Sequence, residues 1–326
     1  VQRVFGESLE DEWQDWIGFE HDFQEKNLAA IRQFPVTPSQ DLSPQPLGSV
    51  SRAHVDPDTR TLYAAFNYPG VVGHIGSLSL DTGTTERIRD VKQPTKYTVS
   101  SVAFDPETRT IFYTADNFAY RDLMTVDPAT KKARMLLKDA RIGDIVFDRT
   151  SRALFGVRVF NGICSLVEIP HPYERWKRIH SWDYGDVVYD LDVSPDGRLL
   201  SATLGEISGR QSVQVMTLDG LREGDTTPTA SFDFGVALPQ GFVFSPDGRY
   251  LFGSSYYTGV SNIFRYELAT GDLEAVSNAE TGFFRPIPLE GDRLIVFRYS
   301  GEGFVPATIE ARPLEDVAPI TFLGQQ

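Results

Sequence analysis

The sequence predicts an all-β fold, a six-bladed β-propeller of four-stranded antiparallel blades, with an N-terminal α-helix ahead of it. Three observations carry this: a strand–turn–strand unit written six times, a near-constant interval between copies, and a second alternating hairpin after each copy. The unit is plainest in "SPDGRLLSAT" (194–203) and "SPDGRYLFGS" (245–254). Pro pre-sets φ for the turn, Asp bonds its own backbone, and Gly takes positive φ. The same pattern begins at Val50, Val99, Ile142, Val188 and Pro239, and in degenerate form at Pro286. The arginine after each turn is a ruler: Arg60, Arg109, Arg152, Arg198, Arg249 and Arg293, at intervals of 49, 43, 46, 51 and 44 residues. An apolar residue also recurs before each turn, at Val55, Phe104, Phe147, Val193, Phe244 and Leu289. Self-similarity at this period marks a repeat architecture.

The second half of each unit alternates, turns and alternates again. The turns fall at Asp81–Gly83, Asp127–Thr130, Pro170–Pro172, Asp219–Gly220, Thr270–Gly271 and near Glu315–Asp316. Each reads as a hairpin, so a unit holds four short strands, A to D. Four-stranded sheets repeated radially are propeller blades, whereas solenoid coils have shorter periods. The blades fall at about 49–93, 97–139, 141–182, 186–234, 238–279 and 282–324 within a propeller of 49–326. Blade six holds its own candidate D strand, "PITFLG" (319–324), so a strand exchange to close the ring is not required by the sequence.

Residues 1–34 read differently. Ser8 can cap a helix, with Asp11 as its capping-box partner. Trp13, Ile17, Leu28 and Ile31 lie along one side, and Trp16, Phe19, Phe23 and Ala30 along a neighbouring one. That apolar surface is wider than one contact with a propeller needs. The segment 35–48, within "FPVTPSQDLSPQPLG" (34–48), is an extended connector. It can add an outer strand or seal the junction between first and last blades.

Composition narrows the function. The 326 residues carry a net charge of −14, a field that repels nucleic-acid phosphates. No window resembles a membrane span. The one cysteine, Cys164, sits in the apolar alternation "GICSLVEI" and reads as a small buried hydrophobe. The chain starts at Val1 without a signal peptide and reads as a piece of something longer.

"VSPDGRLLSAT", "FSPDGRYLFGSS" and "NIFRYELATGDLEAVS" resemble the TolB-like, or WD40-like, propeller repeats of bacterial envelope proteins over about residues 47–326. "VFGESLEDEWQDW" resembles the closing helix of gluzincin-type, peptidase-MA-like domains. These resemblances imply a periplasmic or surface-exposed module of the bacterial envelope, its helix being the tail of an upstream peptidase-like domain of the same polypeptide.

No catalytic constellation is written in the chain. The histidines His21, His54, His74, His171 and His180 form no H-x-x-x-H. There is no G-x-S-x-G elbow and no phosphate loop, so no residue is expected to be catalytic. Asp190 and Asp192 alternate along an A strand and face either the channel, where a Ca²⁺ ion is one option, or neighbouring blades. No other cofactor or metal is expected. The A–B and C–D turns are stereotyped scaffold. The B–C and D–A loops, at the other end of the strands, are irregular and aromatic, and binding tends to live on such loops. Their contact candidates are Tyr68, Asp116, Tyr120, Arg121, Arg158, Trp182, Tyr184, Glu206, Tyr256 and Tyr257. The expected function is a non-catalytic propeller binding a protein or peptide. The alternative is a lactonase- or phytase-like enzyme with a calcium-dependent site in the channel.

Overall fold

The structure is a computed structural model that describes residue 4, residues 6–91 and residues 101–317. It holds six sheets in a closed ring, as the ruler predicts. Blade one has its A strand in two pieces, Ser49–Val50 and His54–Asp56, followed by Thr61–Asn67, His74–Ser79 and Thr85–Asp90. Blades two to five run in order A to D, with A strands Val102–Asp105, Ile142–Phe147, Val187–Val193 and Pro239–Phe244. Blade six contributes Phe283–Leu289, Arg293–Ser300 and Gly303–Glu310.

Its fourth strand comes from the other end of the chain. Gln40 pairs with Thr308 and Asp41 with Ala307, antiparallel. The Leu42 and Leu47 N–H groups donate to the Pro306 and Phe304 carbonyls, each at 2.8 Å. Arg298 holds Asp41 at 2.8 Å. The outer strand of the last blade is therefore the connector, which seals the ring. The candidate D strand 319–324 lies outside the described residues.

Burial explains why the ring holds. Six apolar clusters lie one at each blade junction. At the seam, Leu47 and Val50 pack with Leu62 and Phe66 of blade one and Ile295 and Phe297 of blade six. Among the described residues each blade packs its faces against its neighbours. Cys164 is buried between blades three and four.

The A–B turns of blades one to five are of two kinds, although the ruler arginine runs through both. In "SPDGR" the left-handed residue is Gly, at Gly197 and Gly248, both with φ 70°. In blades one to three it is the arginine itself, at Arg60, Arg109 and Arg152, with φ 49–58°. An Asp side chain makes up the difference: Asp56, Asp105 and Asp148 each accept a backbone N–H two residues on. These arginines also tie blades together. Arg109 reaches back to Asp56 at 3.2 Å, and Arg152 to Asp105 and Glu107 of blade two.

A second departure lies in blade four. The expected Asp219–Gly220 turn is a short helix, α2 (Leu218–Glu223). Thr217 accepts the Gly220 N–H at 3.1 Å, and Leu218 and Leu221 are buried at the blade three–four junction. The N-terminal helix α1 (Leu9–Ile31) starts as expected, with Ser8 accepting the Asp11 N–H at 3.1 Å. Its far end is fixed: Ile31 sits in the blade five–six core, and Asn278 Nδ2 donates to the Ile31 carbonyl at 3.1 Å. Trp13, Trp16 and Phe19 stay about half exposed.

Candidate functional site: the channel and the loop face

Stepping back eight residues from each ruler arginine gives Arg52, Ser101, Asp144, Asp190, Gly241 and Arg285. These are equivalent positions on the innermost strands. In blades three to six the A strand breaks register here, between Ile142 and Ile145, Tyr189 and Asp192, Gln240 and Val243, and Phe284 and Ile287. Such a bulge re-aims a side chain, and Asp190, Gly241 and Arg285 take positive φ to allow it.

The carboxylates here are engaged. Asp144 accepts from Ser101 Oγ and from the Leu191 N–H, both at 2.9 Å. Asp190 accepts the Gly241 N–H, and Asp192 the Phe244 N–H, both at 2.7 Å. Asp144, Asp190 and Asp192 thus stitch blades two to five together. Arg52 crosses from blade one to the opposite blade four, donating to the Leu191 carbonyl and to the Asp192 carboxylate. The guanidinium fills the place a cation would need, so this donor set does not fit Ca²⁺. Burial opposes the charge on Arg52, yet Asp192, Asp144 and Asp190 together hold its pKa above the ordinary value. Burial, then Asp190, pushes the Asp144 carboxyl up.

His54 lies beside this group, its Nε2–H donating to the Val102 carbonyl at 2.8 Å. Burial first and Arg52 second lower its pKa to about 3. An unfolded His takes a proton near pH 6.5, and native His54 refuses it. The stability His54 supplies is therefore full above about pH 6.5 and is lost as pH falls toward 3. Urea titrations of the chain and of His54→Gln should differ in slope by about 1.4 kcal/mol per pH unit between roughly pH 6 and 4. Equal slopes would mean that His54 titrates freely.

At the B–C/D–A end the ten contact candidates fall into different environments. Tyr68 is half buried against the connector, its hydroxyl donating to the Pro46 carbonyl at 3.2 Å. Asp116 and Arg121 pair with one another at 2.9 Å. Tyr120 carries the Arg141 guanidinium 3.5 Å above its ring. Arg158 lies 5.1 Å from the Phe160 ring and 4.6 Å from the Trp176 ring. Trp182 packs on the blade three–four core, with His180 edge-on at 4.9 Å. Glu206 folds onto its own loop, accepting from Ser208 at 3.2 Å. Tyr256 meets Phe284 at 5.8 Å and Tyr257 meets Phe234 at 5.9 Å. Tyr184 is 73% exposed, its ring lying over Gly162, where a Cβ would come within 2.5 Å of it.

Tyr120, Tyr184, Tyr256 and Tyr257 thus offer exposed surface, whereas Tyr68 and Trp182 are largely structural. The residue choice missed apolar tips at this end: Val236 is 98% exposed, Phe118 83% and Ile207 80%. Outside residues 1–31, every exposed large hydrophobic among the described residues lies at this end of the strands, except Met135, Trp176 and Leu273. The available signal was an apolar residue set inside a Gly-containing loop, as in "GEISGR" and "FGVALP". Arg52 was missed too, though the ruler minus eight finds it.

No protein-family model matches the sequence. No curated protein matches it either. Among solved structures, the chain is similar to TolB from Acinetobacter baumannii, with 15% identity and a TM-score of 0.50 over 83% of this chain. It spans 56% of that TolB chain. It is similar to a gluconolactonase from Xanthomonas campestris, at 14% identity and TM-score 0.57, covering 86% of this chain and 99% of that one. It is similar to a regucalcin from Agrobacterium tumefaciens, described as calcium-binding, at 15% identity and TM-score 0.57, covering 86% and 98% of the two chains. The fold therefore defines a six-bladed propeller. The TolB, gluconolactonase and regucalcin structures share that arrangement with this chain. Among the described residues no helix is long and apolar enough to cross a membrane.

Proposed function

We propose that this chain is a non-catalytic, protein- or peptide-binding propeller module of a larger bacterial envelope protein, periplasmic or surface-exposed, and that it takes its partner on the B–C/D–A loop face. The observation that carries this is the segregation of exposed apolar side chains to that end, including Val72, Phe118, Phe160, Tyr184, Ile207 and Val236. Concentrated apolar exposure marks contact surfaces, and aromatic residues dominate binding energy. The opposite end is formed by the A–B and C–D turns, and blade-to-blade ion pairs such as Arg109–Asp56 and Arg152–Asp105 tie them together. The TolB likeness of the fold supports the envelope setting. The exposed Trp13, Trp16 and Phe19 on α1 suit contact with a peptidase-like neighbour in the same polypeptide, which the propeller would assist. Arg52 in the channel speaks against the calcium-dependent enzyme.

The test is a selection of displayed random peptides on the immobilised chain, with the triple variant Tyr184→Ser, Ile207→Ser, Val236→Ser as counter-target. Selected peptides should bind the variant at least about tenfold more weakly, a loss of about 1.4 kcal/mol. Peptides that bind both forms equally would move the site off this face.

A further inference from the structure

Between blades two and three, rings and guanidinium groups alternate. The sequence in space is Tyr120, Arg141, Phe160, Arg158, Trp176, with guanidinium-to-ring distances of 3.5, 4.8, 5.1 and 4.6 Å. Arg141 and Arg158 are thus each in contact with two rings. Neither makes an ion pair with a carboxylate among the described residues, although the chain carries 45 acidic side chains and a net charge of −14. Arg121, close by, is already neutralised by Asp116. Arg158 Nε is buried and has no hydrogen-bond partner. Burial and then the neighbouring Arg141 lower the Arg158 pKa, the mark of two like charges held together in a partly dry place. Stacking covers guanidinium faces and leaves the N–H groups, which lie in the plane, for an acceptor. Two such forks side by side fit carboxylates bidentately. Phe160 between them is exposed and apolar, as is Phe118 on the loop that carries Tyr120.

We propose that Arg141 and Arg158 form a carboxylate-recognition subsite for an acidic, aromatic-containing peptide segment of the partner. This rests on the peptide-binding reading above and names the chemistry of its ligand. The missing counter-charge is then supplied in trans, and the flanking rings take the peptide's apolar side chains. The net negative charge of the chain disfavours acidic segments on most of its surface, and the ring-flanked pair Arg141 and Arg158 offsets that repulsion locally.

The experiment uses fluorescence anisotropy of two dye-labelled octapeptides, one alternating Glu with Phe, the other Gln with Phe. At about 50 mM salt the Glu peptide should bind at least roughly tenfold tighter, and the ratio should shrink at about 500 mM. Arg141→Gln and Arg158→Gln should each remove most of the difference, and Arg158→Lys, which keeps the charge but not the fork, should restore part of it. The salt dependence of the ratio in the unaltered chain needs no variant, so a variant that folds poorly leaves the test intact. Equal binding of both peptides, weakened by Ile207→Ser with Val236→Ser, overturns the carboxylate subsite and spares the loop-face reading. Binding of neither peptide overturns the subsite, and the displayed-peptide selection then judges the loop face separately. Displacement of the Glu peptide by inorganic phosphate, but not by acetate, at equal ionic strength would also overturn it by making the site a phosphate site.

Discussion

Replacing Arg52 by Met is expected to lower the unfolding free energy by about 3–5 kcal/mol at pH 7, the usual cost of removing one partner from a buried ionic group. Asp192 is only 7% exposed, and Asp144 and Asp190 lie close enough to act on Arg52 electrostatically. Without the guanidinium, these carboxylates face one another with only backbone and Ser101 donors to answer them. The loss also has a direction. Arg52 ties blade one to blade four, so removing it takes away the described side-chain link across the ring at this level. Urea denaturation followed by tryptophan fluorescence measures the change. Arg52→Met combined with Asp192→Asn should recover a large part of the loss, because the pair is energetically coupled. A single variant within about 0.5 kcal/mol of the unaltered chain, the range of an ordinary surface substitution, would mean that water already screens the group.

Much of this fold is legible because a propeller repeats its physics. The same burial is needed six times, so Val55, Phe104, Phe147, Val193, Phe244 and Leu289 recur on schedule. What failed to show was whatever breaks the repeat. The sequence lets the Pro-rich connector add an outer strand, but nothing local marks Gln40–Asp41 as the two residues that do so. It becomes a strand only because Gly303–Glu310 presents an open edge to it. The positive φ on Arg60, Arg109 and Arg152 was hidden because the same arginine sits in both turn types. Arg52 and Asp192 are 140 residues apart and meet only across a closed ring. The loop candidates suffered from a rule of type rather than of place. Tyr and Arg were chosen as contact-prone, yet Arg121 is spent on Asp116, while Ile207 and Val236 stand in solvent. Arg158 was picked from sequence, and Phe160 lies two residues on along the same strand, but its meaning depends on Arg141, which only the fold brings beside them.

Truncating Leu47 to Ala should cost about 2–5 kcal/mol, as for other fully buried leucines. The loss should fall on the seam rather than spread evenly. Leu47 is 1% exposed and packs where blade one meets blade six. Its N–H donates to the Phe304 carbonyl, and the Phe304 N–H returns to the Gly48 carbonyl at 3.2 Å. The outer strand beyond it is held by two residue pairs, the Leu42 N–H to Pro306 carbonyl bond and the Arg298–Asp41 ion pair, and an exposed ion pair adds at most about 1 kcal/mol. Apolar burial at Leu47 is therefore expected to contribute more to ring closure than the short Gln40–Asp41 pairing. Native-state hydrogen exchange should show the Leu42, Leu47 and Phe304 amides released first in the variant, while the amides of blades three and four keep most of their protection. A cavity filled by local collapse would leave those three amides unchanged, and closure would then rest on Val50, Phe66 and Phe297. The functional stake is geometric. The loops after Asn67 in blade one and after Ser300 in blade six share one face only while the seam is closed.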